Sequence, residues 1–340
     1  MRYQILGPSG LRVSQLFLGA MTFADRDEAR RMIDVYRDAG GNTIDTASAY
    51  GDSEEILGGI LHNHRDRFVL ATKYTLPRDP TDPNTGGSHR KNLALTLDRS
   101  LRRLRTDHVD LLWVHSWDEH TPIDATMRAL DDVVRAGKAL SLGASNMPAW
   151  VVAEANTLAR HHGWTPFAAL QVPYNPLRRD IERELLPMAR SHGLSLATYN
   201  GLAAGVLSGR FTGPRAEGAS HRVDPSSLTE REHRAARVIQ QVAEELEATP
   251  ATVAIAWALQ RSPRIHPIIG ASSTRQLKDN LGAAELSLPP GAVERLDAVA
   301  DFDIGYPGDQ HAQTQAWFDG HHPVEQPTRE RPFGHPPARA

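Results

Sequence analysis

Short apolar runs alternate with longer segments of helical spacing along most of the chain. Gln15–Gly19, Asn42–Asp45, Phe68–Thr72, Val109–His115, Ala139–Gly143, Ala168–Val172, Leu194–Tyr199 and Ile265–Ile269 read as eight strands. The segments between them carry helix signals. Asp27–Ala39 stops at Gly40-Gly41. Ser53 reads as the N-cap of a helix with acids in its first turn, and Asn92–Leu104 spaces Leu93, Leu97, Leu101 and Leu104 along one face. Further helices are expected from Thr121-Pro122 with Pro at N1, from Asn146-Met147-Pro148, from Asp180, and over Thr229–Glu247, Pro250–Arg261 and Ser273–Gly282. Before the first run, Tyr3–Leu6 and Leu11–Ser14 flank a Gly-Pro-Ser-Gly turn and predict a hairpin. Eight strand–helix units imply parallel pairing and suit a single (β/α)8 TIM barrel capped by that hairpin, with long C-terminal loops. An open doubly wound sheet is the alternative. It is weakened because no Gly-x-Gly-x-x-Gly follows the first strand.

Size and composition narrow the function. A chain of 340 residues has ample material for a core, and one domain is expected over 1–318, with 319–340 as a Pro/His/Arg-rich tail that has little to bury. The long segment Gly205–Ser227 is expected to cross the barrel mouth. With no Cys, disulfides, thiolate nucleophiles and Cys-held metals drop out, and no metal is expected. A net charge of −3 argues against nucleic acid as partner. No apolar run is long enough to span a bilayer, and MRYQILGPSG lacks the charged and apolar regions of a secretory signal, so a cytoplasmic location is expected.

In a (β/α)8 barrel the chemistry sits at the C-terminal strand ends. Here Asp45, Lys73, His115, Ser145 with Asn146, Gln171 and Tyr199 end successive runs, and a Gly/Ser-rich turn follows the last one. Any one of these has a structural explanation: a satisfied His, a capping Asp, a snorkelling Lys. Their convergence on one mouth favours chemistry. Only four lysines occur against many arginines, so Lys73 at a strand end suggests a need for an ammonium. Asp45 is its natural counter-charge, and Tyr50 follows on a short loop. A phenol near that ammonium is expected to have its pKa lowered, and His115 to share the proton or orient a carbonyl oxygen. A proton donor set with neither thiol nor clustered metal ligands fits carbonyl reduction, which needs a hydride source such as a nicotinamide. A metal-dependent barrel hydrolase would need more His and acidic strand ends than Asp45 and His115.

At these residues the sequence resembles the aldo-keto reductase superfamily from about Tyr3 to Pro307. The resemblance is carried by LGPSGLRVSQLFLGAMTF, GGNTIDTASAYGDSEEILG, VLATKY, LRTDHVDLLWVH, SLGASN, ALQVPYN and GASSTRQLKDNLGA. The last of these is closer to the branch related to potassium-channel β subunits. That branch also admits a cofactor-bound sensor in place of an enzyme. The resemblance implies NADPH/NADP+ as cofactor, an aldehyde, ketone or alcohol as substrate, and a tetrad of Asp45, Tyr50, Lys73 and His115 with Tyr50 as general acid. It implies Ser145, Asn146 and Gln171 on the nicotinamide carboxamide and Tyr199 against its ring. Thr22, Leu202, Gly205, Arg210 and Gly270 are implied along the cofactor, Arg222 at its 2′-phosphate, and Ser272, Gln276 and Asn280 at the adenosine end. Where relatives show aromatic-Ser-Pro-Leu, this chain has Tyr199-Asn200-Gly201-Leu202, and the missing Pro predicts a looser turn. Phe23, Tyr74 and Trp117 are the expected substrate contacts, with Met147, Tyr306 and Trp317 also on rim loops; each would serve equally in ordinary loop packing. Monomer and homo-oligomer are both compatible with the sequence.

Overall fold

The computed structural model describes residues 1–79, 81–212 and 224–319. Two short strands, β1 (Tyr3–Ile5) and β2 (Arg12–Ser14), form the expected antiparallel hairpin. Eight parallel strands then close a barrel: β3 (Phe17–Gly19), β4 (Thr43–Asp45), β5 (Val69–Tyr74), β6 (Val109–Val114), β7 (Ala139–Ser145), β8 (Phe167–Pro173), β9 (Ser195–Tyr199) and β10 (Ile265–Gly270). They follow one another in chain order, and β10 returns to pair with β3. Helices α1 (Arg26–Asp38), α2 (Ser53–Leu61), α3 (Arg90–Leu104), α4 (Ile123–Arg135), α5 (Ala149–His162), α6 (Leu185–Ser191), α7 (Glu230–Glu245), α8 (Pro250–Leu259) and α9 (Thr274–Leu281) lie between or after the strands. They are followed by α10 (Pro290–Asp297) and α11 (Gly308–Asp319). The doubly wound alternative is therefore excluded.

Strand alternation divides the apolar residues into two sets. Phe17, Val69, Ala71, Leu111, Trp113, Ala169 and Ala197 fill the barrel interior, while Leu18, Ile44, Leu70, Leu112, Leu142, Leu170 and Leu196 face the helices. Trp113 lies across the interior and is fully buried. Gly143 accommodates it: a Cβ there would stand 2.2 Å from Trp113 Cε3. Leu6 and Val13 of the hairpin join the interior set, and Gly7 N–H donates to Ser195 Oγ at 2.9 Å, so the hairpin closes the N-terminal end of the barrel.

Most departures from the sequence reading are boundary shifts of one to three residues, but three go further, two of them with a local cause. Ser53 is the first residue of α2, not its cap. Its hydroxyl donates to Ala20 O at 2.8 Å and meets Thr46 Oγ1 at 2.8 Å, tying α2 to the ends of two strands. Asp180 opens only a 3-10 turn, and α6 begins at Leu185. Glu182 is drawn inward there by Arg179 and by the Tyr174 hydroxyl, at 2.8 Å each. Helices α10 and α11 stand where long loops were expected. The centre of the Gly205–Ser227 segment and residues 320–340 lie outside the described residues.

His266 sits in the barrel wall, stacked on Phe17 with ring centroids 5.0 Å apart, its Nδ1 3.3 Å from Ser14 O and its Nε2 buried without a partner among the described residues. Burial lowers its pKa from 6.5 to about 4. The unfolded chain therefore takes up this proton first. Stability from His266 is intact above pH 6.5 and is lost as the pH falls towards 4, by up to about 3 kcal/mol. Urea unfolding of His266→Asn is expected to show a shallower loss between pH 6.5 and 4 than the parent; an unchanged slope would reject this origin.

Candidate active site

Inward-facing positions at the C-terminal strand ends bring the predicted residues together. On β5, Val69 and Ala71 face the interior, so Lys73 does too, and it is fully buried. Its ammonium donates to Asp45 Oδ2 at the end of β4 and, at 2.8 Å, to Thr46 O. Asp45 is 3% exposed, and its other oxygen accepts from Gln171 Nε2 at 2.9 Å. Two opposite charges removed from water thus satisfy one another and are closed off by an amide from the far side of the barrel.

Tyr50 hangs over this pair. Its loop is held to β5 by Ser48 N–H on Lys73 O at 3.1 Å, and to α2 by Ser53 N–H on Tyr50 O at 3.0 Å. Lys73 Nζ lies 4.7 Å from the centroid of the Tyr50 ring. The expectation of a lowered phenol pKa is corrected here: burial raises it above 10, and the opposing pull of Lys73 offsets only part of that rise. His115, just beyond β6, meets the Tyr50 ring edge-on at 5.8 Å. Burial first, and Lys73 second, lower its pKa from 6.5 to about 4, so the imidazole is neutral at pH 7. Its Nδ1 is buried and has no hydrogen-bond partner among the described residues.

A chain of hydrogen bonds runs around the same mouth. Asn146, at φ 49°, donates through Nδ2 to His115 O at 3.0 Å and to Ser145 Oγ at 3.1 Å, and its Oδ1 accepts from the Tyr199 hydroxyl at 2.8 Å. The turn after Tyr199, which lacks the Pro of relatives, carries a side-chain hydrogen bond instead. Asn200 takes φ 57°, and its Oδ1 accepts Ala204 N–H at 2.8 Å, so an Asn side chain closes the turn. Ala203, Ala204 and Gly205 all continue at positive φ beside Leu202, whose carbonyl accepts from Gly205 and Leu207.

The residues expected at the adenosine end cluster around the turn between β10 and α9. Thr22 donates to Ala271 O at 2.7 Å, Asn280 to Gly270 O at 3.1 Å, and Gln276 Oε1 accepts from both Ser272 N–H and Ser272 Oγ. One feature was not foreseen. Glu28 of α1 reaches the first turn of α9, where its Oε1 accepts from Thr274 N–H at 2.6 Å and Thr274 Oγ1 at 2.7 Å. These bonds, with Arg31 on its other oxygen, hold the Glu28 carboxyl down to about 2. Arg210 is exposed, and Arg222 lies outside the described residues.

The expected substrate contacts divide. Trp117 is on the rim, its N–H 3.3 Å from Asn146 O. Tyr74 is not: it follows an inward Lys73, so it points outward and is 1% exposed in the layer between strands and helices. Phe23 is likewise packed into that layer at 4% exposure. Sequence reasoning missed Trp150, near the start of α5. It is 62% exposed and meets Trp117 edge-to-face at 5.9 Å. The only sequence signal was its place four residues after Asn146.

Among the described residues no group of three His, Asp or Glu is placed to hold a metal ion, and no helix is long and apolar enough to cross a membrane. Comparison with known proteins gives a consistent result. The model of the Aldo/keto reductase family matches residues 15–301. An aryl-alcohol dehydrogenase of Pestalotiopsis microspora is 37% identical over 327 residues, covering 90% of this chain and 84% of that protein. A norsolorinic acid reductase of Emericella nidulans is 37% identical over 334 residues, covering 90% and 83%. A putative aryl-alcohol dehydrogenase of Saccharomyces cerevisiae is 34% identical over 340 residues, covering 90% and 89%.

Proposed function

The chain belongs to the aldo/keto reductase family, and from that premise we propose that it is an NADP(H)-dependent reductase of aldehydes or ketones, working reversibly, with Tyr50 as the group that gives and takes the proton. The observation that carries this reading is the buried Asp45–Lys73 pair lying beneath the Tyr50 ring. Barrel and tail divide near residue 318 in this reading.

The residues present fit a nicotinamide. Ser145, Asn146 and Gln171 bring a hydroxyl and two amides to one mouth, the donor and acceptor set that a carboxamide needs, and Tyr199 offers a ring held by its bond to Asn146. Thr22, Leu202, Gly205, Arg210, Gly270, Ser272, Gln276 and Asn280 would hold the remainder, with Arg222 near the 2′-phosphate. NADPH bound there would supply the hydride. Tyr50 would protonate the carbonyl oxygen; burial keeps its phenol protonated through neutral pH. His115, neutral at that pH, would orient the oxygen as a hydrogen-bonding partner and not as an acid. Lys73, tied to Asp45, would stabilise the phenolate left behind.

The Trp117–Trp150 pair at the rim favours an aromatic face on the substrate. The names of the relatives point the same way, since two are aryl-alcohol dehydrogenases and one a norsolorinic acid reductase. A panel of aromatic and aliphatic aldehydes, ketones and alcohols, read by NADP(H) absorbance, tests the proposal. Turnover is expected to be fastest on aryl carbonyls. Failure of every carbonyl and alcohol to turn over, with cofactor tightly retained, would overturn the proposal in favour of a sensor.

A further inference from the structure

The inner half of the Tyr50 loop hangs on β5, through Thr46 N–H on Ala71 O at 2.9 Å and Ser48 N–H on Lys73 O at 3.1 Å. The outer half, from Tyr50 to the start of α2, runs past the strand ends, and its support comes from a different element. Arg103, in the last turn of α3, sends its guanidinium back along α2. Its Nη2 donates to the carbonyl of Gly51, the residue after Tyr50, which stands at φ +52°. The same guanidinium faces Glu54 at 3.6 Å, Glu55 at 3.3 Å and Asp52 at 3.9 Å, and the side chain is 14% exposed. Glu54 is 1% exposed and accepts the Thr72 hydroxyl at 2.7 Å. Thr72 immediately precedes Lys73 on β5. A continuous path, Gly51–Arg103–Glu54–Thr72, exposed at Gly51 and buried at Glu54 and Thr72, therefore joins the residue after the phenol to the residue before the ammonium. Packing makes the reach possible. Gly58 lets α2 approach the end of α3 so closely that a Cβ there would stand 2.2 Å from Arg103 O.

We propose that Arg103 is a positioning residue for Tyr50: by clamping the Gly51 carbonyl and pairing with Glu54, it fixes the phenol over Lys73. This rests on the reading of Tyr50 as the proton donor. A phenol displaced by a fraction of an ångström loses its alignment with the carbonyl oxygen, while cofactor contacts on β7, β8 and β9 are untouched.

The experiment compares Arg103→Ala and Arg103→Lys in the parent and in Tyr50→Phe, by turnover of one aryl aldehyde and by NADPH titration. Arg103→Ala is expected to lower kcat about 10- to 100-fold, with KM and NADPH affinity within about twofold. Lys, which keeps the charge and a donor, should recover part of the loss. In the Tyr50→Phe background Arg103→Ala should cost nothing further, because the group it positions is gone. Parental kcat in folded Arg103→Ala, or the same loss in both backgrounds, would overturn the proposal. Should Arg103→Ala fail to fold, Glu54→Gln keeps the acceptor for Thr72 while removing the one buried charge of the three facing Arg103, and the same pair of backgrounds decides. Full activity in Tyr50→Phe itself would overturn both this inference and the reading it rests on. An inactive Tyr50→Phe beside a fully active Arg103→Ala would overturn the inference alone.

Discussion

Tyr50→Phe is expected to bind NADPH as the parent does and to reduce a reactive aldehyde at least ~10²-fold more slowly, the scale of a lost general acid. The substitution removes one oxygen and leaves the ring that packs against His115 and above Lys73. Folding and cofactor binding therefore have little reason to change, and the loss should fall on kcat. The pH dependence follows from the sign of the shift. Burial places the phenol above 10, so the acid form prevails throughout neutral solution. Reduction should be nearly flat from pH 6 to 9 and decline only at strongly alkaline pH. Alcohol oxidation needs the phenolate and should rise with pH across the same range. Parental turnover in Tyr50→Phe, or an oxidation rate that falls as pH rises, would remove Tyr50 from the role.

The convergence of the candidate site residues was legible from sequence where one-dimensional order maps directly onto the barrel. Strand alternation and chain order alone put Asp45, Lys73, His115, Ser145 and Gln171 at one mouth, because successive parallel strands are neighbours and their ends share a face. The same alternation, applied one residue further, would have turned Tyr74 outward; it was overlooked because β5 continues to Tyr74, past the expected end at Thr72. Electrostatics were less legible. Proximity of Lys73 to Tyr50 was read correctly as a downward pull on the phenol, but only the fold shows how deeply the ring is buried, and burial wins.

Contacts made by helix-borne side chains with distant parts of the chain were not legible at all. Glu28 on α9, Trp150 on Trp117 and Arg103 on Gly51 each join surface-patterned residues far apart in the chain. A charged residue on a helix gives no sign of its partner, since its own spacing says only that it faces away from the apolar stripe. Asn200 is a middle case. Asn tolerates positive φ and can accept from a backbone N–H close by, so its place after Tyr199 was a hint of a closed turn.

Asp45→Asn is expected to destabilise the fold by about 3–5 kcal/mol in urea unfolding at pH 7, the cost of leaving a buried charge without its partner. Lys73 has no exposed surface through which water could replace the carboxylate. Asn keeps the shape of Asp and can still accept from Gln171, but its NH2 then faces the Lys73 ammonium, so the negative charge and one acceptor are lost together. Adding Lys73→Met should restore most of the lost stability, because a neutral pair of similar volume no longer carries the desolvation penalty. The double variant should nonetheless be as inactive as either single one. A single substitution that costs less than ~1 kcal/mol, or a double that is simply additive, would show that the pair is better solvated than its burial indicates. The opposite signs expected for stability and activity carry a physical meaning. A fold built only for stability gains nothing from an ammonium and a carboxylate at the barrel mouth that an apolar pair would not supply as well. The proposed action of the ammonium on the phenol above it supplies the reason for the pair that stability alone does not.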